Sequence, residues 1–70
     1  MSKIRTLRKL QDISQNELSR RCLMHPSTMS MIEIGRLKPT SNQAAKIAHA
    51  LGVTVAELGL DEFDAKVDAQ

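Results

Sequence analysis

Three short repeats of one local pattern set the scale of everything this chain can build. Ser14-Gln15-Asn16-Glu17, Thr40-Ser41-Asn42-Gln43 and Thr54-Val55-Ala56-Glu57 each place a hydroxyl three residues before a carboxylate or carboxamide. In such a capping box the hydroxyl accepts from the third residue's backbone N–H. The longer side chain then reaches back to the first residue's N–H, and a helix begins. Pro26 marks another start, because its missing N–H costs nothing at a first helical position and its ring forces His25 into extended geometry. Helices opened this often in 70 residues must be short and joined by tight turns.

The apolar spacing agrees. Ser2 can cap a first helix to about Gln11, with Ile4, Leu7, Arg8 and Gln11 on one stripe and Asp12 closing it. A second runs from Ser14 to about Cys22, with Ile13 packed on Leu18 as a hydrophobic staple. A third runs from Pro26 to about Ile34 and ends at Gly35. The fourth opens at Thr40, carries Ala44, Ile47, Ala48 and Leu51 on one face, and stops at Gly52. A short fifth helix follows from Thr54 to near Gly59. No run alternates in period two, so the expected fold is all-α, with a compact five-helix domain over 1–60 and an acidic tail over 61–70. Only Leu23, Met24 and His25 separate the second and third helices, the length of a helix-turn-helix connection.

Charge is distributed unevenly. Residues 1–38 hold eight Lys/Arg against three Asp/Glu, and residues 39–70 hold two against five. A basic half followed by an acidic one suits a polyanion-binding face with its far end kept off the polyanion, although helix solvation alone would also give it. Phe63 is the only aromatic residue, which argues against base stacking on single strands. Two isolated histidines, no carboxylate pair on a shared face and no glycine-rich phosphate loop leave no basis for an enzyme. Neither a metal site nor a cofactor is expected, and Cys22 reads as a small core residue. No apolar stretch approaches a signal core or a membrane span, so a cytoplasmic protein without a membrane partner is expected.

Arg8 and Glu33 both fall on core-facing stripes, and charges are rarely buried unless paired. An ion pair tying the first helix to the third is the economical expectation.

The segments Ile13–Ser19 and Met29–Gly35, Pro39, and the run Ala48–Val53 occur in the order and spacing of the Cro/phage-repressor helix-turn-helix family, which the chain resembles over roughly residues 2–60. The resemblance implies a lambda-repressor-like domain that binds double-stranded DNA as a transcriptional regulator, a repressor by expectation, with the third helix in the major groove. It implies a phosphate contact by Gln15 and an outward recognition face of Pro26, Ser27, Thr28, Ser30 and Met31. Arg36 and Lys38 would grip phosphates from the loop that follows. A homodimer is expected, since two-fold pairing doubles the base contacts. The other reading is a protein-interaction module on the same scaffold, such as an antitoxin with a toxin partner. Three positions depart from the pattern. Leu23 and Asp12 stand where glycine is common, implying a strained or rearranged turn at Leu23. Ile34 stands where a polar residue often touches the DNA backbone.

Overall fold

The computed structural model describes residues 3–59. Four α-helices follow one another: α1 Ile4–Leu10, α2 Gln15–Arg21, α3 Pro26–Glu33 and α4 Ser41–Leu51. The expected fifth helix is a single 3-10 turn, Ala56–Leu58. Its opening is built as the sequence suggests, with the Thr54 N–H donating to the Glu57 carboxylate at 2.9 Å and Glu57 N–H to the Thr54 hydroxyl at 3.3 Å. Gly59, left-handed at φ 70°, stops the chain after three residues, too soon for α-helical bonding to propagate. Among the described residues there is no strand. Ser2 and the acidic tail 61–70, including Phe63, lie outside the described residues; Lys3 occupies the cap position of α1 and supplies no side-chain bond.

Each element sends its apolar stripe into one core. Ile4, Leu18, Cys22, Met29, Ile32, Ile47 and Leu58 are fully buried, with Ala44, Ala48 and Leu51 beside them. Burying a side chain of Leu or Ile size contributes about 1.5–3 kcal/mol. Small alanines on α4 let the other helices approach closely. Burial also pushes the Cys22 thiol up from its ordinary range, as an inert packing residue requires.

The helix ends share one device. After each α-helix a left-handed residue (Asp12, Leu23, Gly35 or Gly52) turns the chain. The next N–H then returns to the carbonyl five residues back: Ile13 to Arg8 at 3.0 Å, Met24 to Ser19 at 2.9 Å, Arg36 to Met31 at 2.9 Å and Val53 to Ala48 at 3.0 Å. Ile13, Met24 and Val53 pack against the core, closing the motif with an apolar contact. Leu23 therefore keeps the left-handed geometry at φ 56° instead of rearranging the turn, and its side chain is 84 % exposed. A β-carbon in that region costs about 1–2 kcal/mol, and an exposed leucine recovers little of it. Leu23→Gly should accordingly stabilise the fold by about 1 kcal/mol, net of glycine's greater unfolded-state freedom. Urea unfolding should show a higher midpoint with an unchanged slope; an unchanged or lower midpoint would mean that Leu23 carries no backbone strain.

Candidate nucleic-acid interface

The third helix is held in place by a buried ion pair. Arg8 Nε donates to Glu33 Oε2 at 3.1 Å and Arg8 Nη2 to Glu33 Oε1 at 3.2 Å, a two-pronged contact between α1 and α3. Arg8 Nη1 also donates to the Ile13 carbonyl at 2.9 Å, so one guanidinium fixes α1, the turn before α2, and α3 together. Gln11 extends the stripe of α1 differently: its amide donates to the Leu51 carbonyl at 2.6 Å and closes the end of α4.

With Met29, Ile32 and Glu33 buried, the helical period turns Ser27 and Met31 to the opposite side of α3, where both are exposed. Pro26 is exposed at the helix start, while Thr28 and Ser30 are half-buried on the flanks. Gln15 is half-buried at the first position of α2. Arg36 is exposed and Lys38 half-buried in the loop after α3. That loop is anchored to α3, since the N–H groups of Arg36 and Leu37 both donate to the Met31 carbonyl, at 2.9 and 3.2 Å. The basic segment therefore has a fixed start relative to Met31.

Ile34 belongs on this face too. It is 49 % exposed and lies three residues after Met31, so it extends the apolar surface begun by Met31 at 43 % exposure. Helical spacing from Met31 alone places it there.

The start of α2 differs from a full capping box. Ser14 accepts from the Glu17 N–H at 3.0 Å, but the Glu17 carboxylate does not return to Ser14. It pairs with Arg20 and, at 2.9 Å, with Arg21. Two guanidiniums one turn away offer charge-assisted bonds that outcompete one neutral N–H. Arg20 first and Arg21 second hold the Glu17 carboxyl below the usual carboxylate range. Arg21 further lines an open groove against α4 with Ala45, Lys46, His49 and Ala50. The capping boxes at Thr40 and Thr54 are reciprocal, Thr40 N–H to Gln43 Oε1 being 3.0 Å and the return bond 3.1 Å.

Among the described residues no three His, Cys, Asp or Glu side chains gather where they could hold a metal. No described helix is long and apolar enough to cross a membrane.

A short helix, a tight turn and a second helix pinned from behind, with its polar and apolar face left open beside a basic loop, define the helix-turn-helix class. Residues 4–58 match the family model described as helix-turn-helix, and the chain belongs to that family, of the Cro/phage-repressor type, whose members are DNA-binding regulators. Comparison with curated proteins and with solved structures returned no match.

Proposed function

We propose that this protein binds double-stranded DNA sequence-specifically as a homodimer and represses transcription. The outward face of α3, Ser27 and Met31 with Thr28 and Ser30 at its edges, enters the major groove. The observation that carries this reading is the Arg8–Glu33 pair, which fixes the orientation of α3 from the buried side and leaves Ser27 and Met31 exposed. Gln15, Arg36 and Lys38 contact phosphates on either side. The Pro26 ring and the thioether of Met31 offer apolar surface to thymine methyl groups.

A duplex selection from random sequence tests both the specificity and the symmetry. The expected product is a palindrome whose half-sites lie about 10 base pairs apart, one helical turn. Met31→Ala should change the preferred base at one position per half-site by about fivefold or more, the scale of one lost base contact. Enrichment of no sequence, together with stable capture of a second protein, would favour the interaction-module reading instead.

A further inference from the structure

We infer that Ser27 reads the DNA only as a hydrogen-bond acceptor, and so selects an adenine or cytosine edge in the major groove. The inference rests on the DNA-binding reading above and assigns a base chemistry to one position in it.

The backbone fixes the direction of the bonds. Pro26 restricts His25 to extended geometry, φ −69° and ψ 139°, and this brings the imidazole over the first turn of α3. The Ser27 N–H donates to His25 Nδ1 at 3.2 Å, and Ser27 Oγ lies 2.7 Å from the same nitrogen. A backbone N–H can only donate, so Nδ1 carries a lone pair and the proton of the neutral ring sits on Nε2. A nitrogen without a proton cannot donate to Oγ. In the neutral ring the Ser27 hydroxyl therefore donates to Nδ1, and its single proton is held in that surface bond.

What remains on Ser27 Oγ is lone pairs on an exposed face at the entering end of α3. The N6 amino group of adenine and the N4 amino group of cytosine are the major-groove donors that can meet them. Guanine N7 and O6, thymine O4 and phosphate oxygens are acceptors, and would face another acceptor. A serine hydroxyl ordinarily serves either kind of edge; His25 removes that freedom.

Two measurements on the full chain test this. In the free protein at mildly alkaline pH, nitrogen–proton correlation of the His25 ring should show the proton on Nε2. A proton on Nδ1 would overturn the inference while leaving DNA binding untouched. With the selected duplex, Ser27→Ala should relax preference at a position occupied by adenine or cytosine. Replacing that base by an analogue lacking the exocyclic amino group should weaken the native protein by about fivefold and leave Ser27→Ala unaffected. His25→Ser keeps an oxygen to cap the helix but frees the Ser27 proton, so guanine or thymine should become acceptable there. The inference fails if Ser27→Ala relaxes a guanine or thymine position, or relaxes none. If no duplex is bound specifically, the DNA reading itself fails and this inference falls with it.

Discussion

Glu33→Leu should destabilise the folded chain by about 3–5 kcal/mol, because it leaves the Arg8 guanidinium buried without its counter-charge. Arg8 is 9 % exposed and Glu33 5 %, so water cannot substitute for the lost partner. A domain of this length has roughly 3.5–10 kcal/mol of stability in total, so the single variant should lose a large fraction of it and unfold at a much lower urea concentration. Arg8→Met should also be destabilising, since it removes the bonds to Glu33 and the one to the Ile13 carbonyl. The double variant should be less damaged than the two losses added, because neither charge is then stranded. Its remaining deficit measures the bond to Ile13 and any imperfect packing. Urea unfolding of all four proteins gives the coupling directly. A coupling near zero would mean that the two side chains do not act as a pair in solution.

Arg36→Ala and Lys38→Ala should each weaken binding to every duplex by roughly tenfold near 0.1 M salt. The physical reason is counterion release: a cation that neutralises a phosphate frees a condensed ion, and this carries no base information. Each variant should lower the slope of log affinity against log salt by about 0.9, equally for the selected site and for unrelated DNA. The selected sequence itself should not change. Met31→Ala is the complement, altering preference while leaving the salt slope alone. If the loop variants changed the sequence preference and spared the slope, the loop would be reading bases and the proposed division of labour would be wrong.

The fold was legible wherever a short stretch of sequence controls its own geometry. Thr40 with Gln43 and Thr54 with Glu57 form reciprocal bonds because the partners are three residues apart and meet no strong competitor. The burial of Ile4, Leu18, Met29 and Ile47 follows from helical spacing alone. Even the Arg8–Glu33 contact, 25 residues apart in the chain, can be inferred from the cost of burying either charge singly.

Competition was harder to read. Ser14 and Glu17 have the same spacing as Thr40 and Gln43, yet Arg20 and Arg21 draw the carboxylate away. The turn after α2 also needed more than propensity. Leucine disfavors a positive φ, but the Met24–Ser19 bond and the burial of Met24 against the core favour keeping the turn. The last helix contracted to one 3-10 turn because Gly59 follows so closely. On the candidate interface, helical period indicated Ser27 and Met31, whereas the direction of the Ser27 hydroxyl bond depends on where the His25 ring comes to rest. That is a matter of atomic position, which residue spacing does not encode.

The central claim, that the outward face of α3 is the surface that meets DNA, is tested most directly by titrating the isotopically labelled full chain with duplex DNA at low salt and following its amide resonances. Even a duplex of arbitrary sequence serves, since phosphate contacts dominate binding under those conditions. The expected perturbations fall on Gln15, on His25 and residues 27–31, and on Arg36 through Lys38. Perturbations centred instead on the groove of Arg21, Lys46 and His49, with α3 unaffected, would contradict it.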